Sequence, residues 1–246
     1  MTTQTPASAS MNLTMPIPPQ ADWTPVLTGE ALVCGLLARL LYEEPQRAWL
    51  QSLADEAVFD DIPFGADQPD VAAGLRLLQQ WSPTAHSGLS EEAHEKLRLD
   101  YARLFLGPGK LLAPPWESAQ VTEGRQLFQP QTLQVRQWFR RFGLEAERLH
   151  TEPDDHLGLE FAFLAHLAQR GLGALAQGNA AGLDEALTAQ RDFLTAHPLQ
   201  WVPLWCDQVE KNARTDFYRG VAQVTRGVLA ELAATFGIVA PAEALR

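Results

Sequence analysis

The stretch EPDDHLGLE, Glu152 to Glu160, sets four carboxylates and one imidazole within nine residues and holds no Lys or Arg. Two chemistries fit such a set. The carboxylates can accept hydrogen bonds from a guanidinium, each charge-assisted contact being worth about 1.5–3 kcal/mol. Alternatively, Asp155, His156 and Glu160 together could serve as a general acid/base set, as in a metal-independent hydrolase. If the run opens a helix, Pro153 suits the first position, and Glu152, Asp154 and Asp155 sit where the helix dipole favours anions by about 0.3–1 kcal/mol each. Capping explains one or two acids, but four so close together repel one another. His156 and Glu160 form an i, i+4 pair on one face, whereas Asp155 and His156 are about 100° apart. Neighbouring acids favour the protonated or donor imidazole. Periodicity alone leaves ligand binding and plain capping both open.

Other chemistries find less support. His156 and Glu160 offer two metal ligands, but His166 lies roughly 80° around the helix from His156 and no HExxH or clustered Cys/His spacing occurs. Neither Cys34 nor Cys206 has a neighbouring Cys, and both sit inside apolar helical patterns, as free thiols in a reducing compartment do. There is no GxSxG elbow, and GPGK at Gly107 to Lys110 lacks the phosphate-loop spacing and follows a helix. No cofactor is therefore expected. The stretch LFLGPGKLLAPPW is more informative: a helix ending in Leu104 and Phe105 runs into a loop stiffened by Pro108, Pro114 and Pro115 that presents Trp116. Trp116 fills part of a core in the plain reading. A rigid apolar loop beside an acidic helix start would also suit a peptide that is both cationic and apolar.

The elements that position these residues are helical. Periodicity predicts helices over 26–42, with Leu32, Leu36, Leu37, Leu40 and Leu41 inward, 49–53, and 71–81 after Asp70 as N-cap. Ser90 caps the next, whose buried face is Leu97, Tyr101, Leu104 and Phe105. Further helices are expected at 133–142, stopped by Gly143; at 154–170, stopped by Gly171; at 183–194; at 201–209, with Pro203 in its first turn; and at 216–236, closed by Gly237. The class is all-α, a single-domain bundle of about nine helices over residues 26–246. Residues 1–25, with five Pro and many Ser/Thr, read as a disordered tail without the charged and apolar regions of a signal peptide. Residues 55–70 hold six acids, no base and two prolines, an exposed negative loop. A net charge of −11 argues against nucleic acid and anionic membrane as partners and favours a cationic one. No run of about 18 apolar residues predicts a span, so a soluble, cytoplasmic protein without stable membrane insertion is expected.

Taken in order, YARLFLGPGKLLAPPW, EPDDHLGLE and the distal HPLQWVPLW and FYRGVA resemble the TorD/DmsD family of molybdoenzyme maturation chaperones, from about Val26 to Ile238. APPW and HPxxW favour its DmsD branch over the TorD and nitrate-reductase branches. The resemblance implies an all-helical, non-enzymatic chaperone. Such a chaperone binds the twin-arginine leader of a molybdopterin-dependent oxidoreductase of the dimethyl sulfoxide reductase type and assists cofactor insertion before Tat export. Components of the Tat translocase are a further implied partner. Carried over, the leader site comprises Asp155 and His156, with Glu152, Pro153 and Glu160 around them. Tyr101, Leu104, Phe105, Gly107, Pro108, Pro115 and Trp116 form its groove. The family pattern is broken at Tyr101, where the DmsD branch often has Trp, and at ESAQV after PPW, which lacks the aromatic that commonly follows the Ser. On this reading Asp155 is a direct guanidinium acceptor, and the fold tolerates its replacement.

Overall fold

The computed structural model describes residues 17–18, 22–86, 88–107, 111–122, 124, 126–146 and 152–239. Ten α-helices follow one another: α1 Trp23–Tyr42, α2 Arg47–Asp55, α3 Pro69–His86, α4 Glu91–Tyr101, α5 Glu117–Val121, α6 Pro130–Arg141, α7 Leu157–Ala176, α8 Ala180–Ala196, α9 Pro198–Asn212 and α10 Asp216–Thr235. Among the described residues there is no strand, and one isolated antiparallel bridge joins Trp116 to His156. The all-α expectation holds. The count of about nine omits the five-residue α5. The tail expected at 1–25 lies mostly outside the described residues, and α1 begins earlier than expected, capped by Asp22, whose carboxylate accepts the Thr24 N–H at 2.8 Å.

Two helix pairs build the frame. α1 lies along α7, and α10 along α3, with α8 packed on α7 and α9 on α10. Each pair closes at glycine. A Cβ on Gly158 would meet the Ala38 carbonyl at 2.8 Å, so the start of α7 rests directly on the end of α1. A Cβ on Gly74 would meet the Gly220 carbonyl at 2.6 Å, so α3 and α10 cross backbone to backbone. Side chains from all these helices, among them Trp201, Trp205, Phe161, Phe163, Phe193 and Tyr218, fill one continuous core. By length and composition α1 is the one described helix apolar enough to cross a membrane, against the sequence expectation of no such window; half of that window is buried in the bundle.

Several boundaries differ from the pattern reading. Leu32 faces solvent, whereas α1 buries Leu37, Leu40 and Leu41 as expected, together with Leu27, Val33 and Cys34. α3 starts at Pro69, so Asp70 lies in its first turn rather than capping it. α7 runs past Gly171, which is buried against Leu27 and Leu183, to Ala176, and the chain turns at Gly178 with φ +64°. A small residue needed for close packing imitates a stop signal in the sequence. Pro198, not Pro203, opens α9, and Pro203 sits inside it. The 55–70 connection is acidic but tethered, with Phe59, Ile62 and Phe64 buried. Ser90 caps α4 by accepting the Ala93 N–H at 3.1 Å, and Gly143 and Gly237 turn with φ of +75° and +64°, as expected.

Because the α3/α10 crossing has no room for a side chain, Gly74→Val should cost about 1–3 kcal/mol by overpacking. That lowers the thermal midpoint by roughly 2–12 °C in a domain of this size. Gly35→Ala on α1, whose added Cβ meets nothing within 4 Å, should leave the midpoint unchanged or slightly raised. Differential scanning calorimetry of the two variants checks the contrast.

Candidate functional site

Three segments lead to the start of α7, and the second and third of them bond to the residues that open it. The first is the end of α4, which loosens into a π-helical turn, Ala102–Leu106, closed by the Gly107 N–H donating to the Ala102 carbonyl at 2.8 Å. Gly107 has φ +89°, which an L side chain rarely adopts, so the helix must stop there. The second is the loop that follows. Its Pro115 carbonyl accepts the Leu157 N–H at 2.8 Å, and its Glu117 N–H reaches the Asp155 carbonyl at 3.0 Å, the two bonds flanking the Trp116–His156 bridge. The third is α6, which supplies Thr132 and Arg136.

The acid run is thereby divided among different partners. Asp155 is fully buried; one of its oxygens accepts the Ser118 N–H at 2.6 Å and the other accepts the Thr132 hydroxyl at 2.6 Å. Asp154 is buried and takes Arg136 through Nε and Nη2 at 3.0 and 2.6 Å, a contact that raises the arginine's pKa further. Glu152 is partly exposed, at 17 % of its side chain, and accepts the Tyr42 hydroxyl at 2.9 Å. Thus one carboxylate of the run reaches solvent, two are spent inside the protein, and Glu160 is buried one turn into α7.

His156 is the N-cap of α7. Its Nδ1 accepts the Gly158 N–H at 3.0 Å, which fixes the proton of the neutral ring on Nε2, 4.0 Å from a Glu152 oxygen. The imidazole lies edge-on between the rings of Tyr42 and Trp116, with centroids 5.1 and 5.4 Å away. Burial pushes its pKa down to about 3. Of the protonated or donor imidazole expected, the protonated form is overturned, because desolvation outweighs the neighbouring acids. Glu160 is raised well above the usual carboxylate range, first by burial and then by the charges of Glu117 and Asp155. The Trp201 indole lies beside it and pulls slightly the other way, without the geometry of a hydrogen bond. Glu117 in turn meets His197 Nδ1 at 2.8 Å.

The remaining expected site residues fall in two groups. Pro115 is buried and Trp116 half-buried against His156, so the loop does meet the acid run. Pro153 is also buried, but it precedes the helix, which starts at Leu157 rather than Asp154. Tyr101, Leu104 and Phe105 are core rather than groove: the Tyr101 hydroxyl reaches the Leu41 and Tyr42 carbonyls at 3.3 Å, and Phe105 stacks on Trp205. Pro108 lies outside the described residues. Ser118, Thr132, Arg136 and Tyr42 complete the site without having been singled out, because an isolated Ser, Thr or Arg carries no spacing that ties it to a carboxylate 18 or more residues away. Among the described residues no three His, Cys, Asp or Glu side chains converge as a metal site needs.

The chain matches the family model described as nitrate reductase delta subunit over residues 65–207. It is similar to the Tat proofreading chaperone DmsD of Salmonella typhi, with 28% identity over 201 residues, 82% of this chain and 87% of the relative. A probable Tat proofreading chaperone DmsD of Haemophilus influenzae is 25% identical over 190 residues, 77% of this chain and 83% of the relative. The chaperone protein TorD of Vibrio cholerae is 31% identical over 134 residues, 54% of this chain and 59% of the relative.

Asp155→Ala should strand two buried donors and cost about 2–4 kcal/mol, read as a fall in urea midpoint. Asp155→Asn should cost less, since its oxygen still accepts the Ser118 N–H and its amide can donate to Thr132. The acid limb has a sign that can be tested too. A histidine at about 3 in the fold and near 6.5 unfolded contributes stability that is lost as pH falls from 6.5 towards 3, at about 1.4 kcal/mol per pH unit. His156→Gln should flatten that limb by one proton. Glu160, raised in the fold, acts oppositely: its contribution is complete below about 4.5 and is lost as pH rises. Glu160→Gln should therefore gain on the parent protein steadily above pH 4.5, by chemical denaturation.

Proposed function

This chain belongs to the nitrate reductase delta subunit family, and on that footing we propose that it is a cytoplasmic, non-enzymatic chaperone for the twin-arginine signal peptide of a molybdopterin-dependent oxidoreductase. The client class is the dimethyl sulfoxide reductase type, held back from Tat export until its cofactor is in place. The names of the DmsD and TorD relatives support the reading. The observation that carries it for this chain is the junction at the start of α7, where a Pro-stiffened aromatic loop is bonded onto an acid-rich helix start.

Geometry assigns roles within that junction. Glu152, whose carboxylate reaches solvent beside Tyr42, is the acceptor that an arriving guanidinium meets first. Asp155 and His156 act as positioning residues: the one ties the loop to α7, and the other sets the helix start and seats Trp116. An acid/base reading of Asp155, His156 and Glu160 is disfavoured by the same contacts. The imidazole nitrogen that would move a proton is spent on Gly158, the ring is buried, and Asp155 bonds to Ser118 and Thr132 rather than to the histidine.

Titrating the purified protein with a twin-arginine leader peptide should give saturable binding that a Lys-Lys version of the same peptide loses in large part, because an ammonium cannot bridge two acceptors as a guanidinium fork does. Glu152→Gln, which keeps an acceptor for the Tyr42 hydroxyl, should weaken the complex roughly tenfold with an unchanged thermal midpoint. Absence of binding to every such leader would falsify the reading.

A further inference from the structure

The connection between α5 and α6 and the α6 face beside it expose bulky apolar side chains to solvent. Val121, Leu127, Phe128 and Leu133 are 44, 36, 52 and 55 % exposed, four of the exposed large apolar side chains falling within thirteen residues of chain. Phe128 and Leu133, with Thr132 and Arg136, line an open hollow of about 290 Å³. Two bulky apolar side chains facing one open hollow offer a seat for a complementary apolar group.

Two further observations bear on what docks there. Phe128 holds φ +56°, the left-handed region that a bulky L residue enters only under strain. Strain of this sort persists where the surroundings impose it, and it gathers at ligand-contacting positions. The backbone here is bent so that a phenyl ring stands in water. The polar lining, moreover, is already committed: Thr132 gives its hydroxyl to Asp155, and Arg136 gives Nε and Nη2 to Asp154. Among the described residues the hollow is walled by Phe128 and Leu133, and its one cation, Arg136, holds Asp154 through Nε and Nη2. Its floor hydrogen-bonds directly to the acid-rich run that starts α7. Glu152 is the acid of that run that reaches solvent, so a segment with a cation at one end and a bulky apolar residue at the other meets a complement for each.

We propose that the hollow walled by Phe128 and Leu133 seats a bulky apolar side chain from the part of the client signal peptide that follows its arginine pair. This rests on the signal-peptide reading and adds a second contact to it, on α6 rather than α7.

The test is a cycle with two full-length variants, Phe128→Gly and Leu133→Gln, and two peptides: the twin-arginine leader, and the same leader with its bulky apolar residues replaced by Ser and Gly. Burying one large apolar side chain predicts that each variant raises the Kd of the intact leader about tenfold and leaves that of the polar leader unchanged. Phe128→Gly should at the same time hold or raise the thermal midpoint, since glycine accepts the left-handed backbone without strain. Loss of affinity together with an unimpaired fold is the supporting result. If the unmutated protein binds the leader and both variants bind it equally well, the hollow is not the seat, and the signal-peptide reading stands. If the unmutated protein binds neither peptide, the parent reading fails and takes this one with it. A concentration-dependent dimer by sedimentation, abolished by Phe128→Gly with leader affinity intact, would instead assign the patch to a second copy of the chain and overturn the proposal.

Discussion

The Asp155 carboxylate organises the junction on which the function turns. Its two oxygens are shared between a backbone N–H of α5 and a hydroxyl of α6, while its own carbonyl accepts from Glu117 and its chain position fixes the first turn of α7. Three segments far apart in sequence are thus held by one side chain. Burying an ion is costly unless its acceptor sites are filled, and charge-assisted bonds near 2.6 Å are the strong kind. Asp154 is paired differently: one of its oxygens takes both Nε and Nη2 of Arg136, and the other makes no hydrogen bond. Acids that crowd one helix end in the sequence are kept apart electrostatically because each has a different partner.

Other interior acids are less well served. Glu160 has no hydrogen-bond partner for either oxygen, and Glu30 is buried near the amide of Gln190, so burial drives both well above the ordinary carboxylate range. Protonation is the way such a group escapes the cost of desolvation. Conversely His156 escapes it by staying neutral. The interior next to the junction is therefore nearly free of unpaired charge, and the negative field of the chain is set by its surface, including the acids of the 55–70 connection whose apolar residues anchor it. At a net charge of −11 that field speeds the approach of a dibasic segment without fixing its register.

Helix content and the buried faces were legible because the signal is periodic: Leu157, Phe161, Leu164 and Ala168 point inward as their spacing requires, and Ser90 caps α4 as its chemistry requires. Leu32 misled because it belongs to the same three-and-four pattern, yet α7 covers only one side of α1. Gly171 misled because a glycine that admits Leu27 reads the same as one that ends a helix. The acid run and the PPW loop were legible as a site through their composition. That Asp155 faces inward was not, since Ser118 and Thr132 are ordinary residues 37 and 23 positions away. Tyr101, Leu104 and Phe105 were read as groove because an apolar helix entering a loop looks the same whether it lines a surface or a core. Here Trp205 and Tyr218 close over it.

Recognition by charge alone would be a poor instrument for a chaperone that must hold one client. An exposed carboxylate meeting an exposed arginine gains little in water and is screened by salt, and any basic peptide satisfies it equally. Discrimination requires a second contact whose partner is absent from wrong peptides. In the proposed complex Glu152, before α7, supplies attraction and orientation, and the strained Phe128 beside Leu133 supplies the apolar contact that a merely basic segment lacks. The two are coupled through Thr132 and Arg136, which carry the hollow on one side and hold Asp155 and Asp154 on the other. The α6 backbone that bears Phe128's neighbour Leu133 is therefore registered to the acid run by hydrogen bonds rather than by loop position, so the spacing between cationic and apolar ends of a bound segment is set by the fold itself.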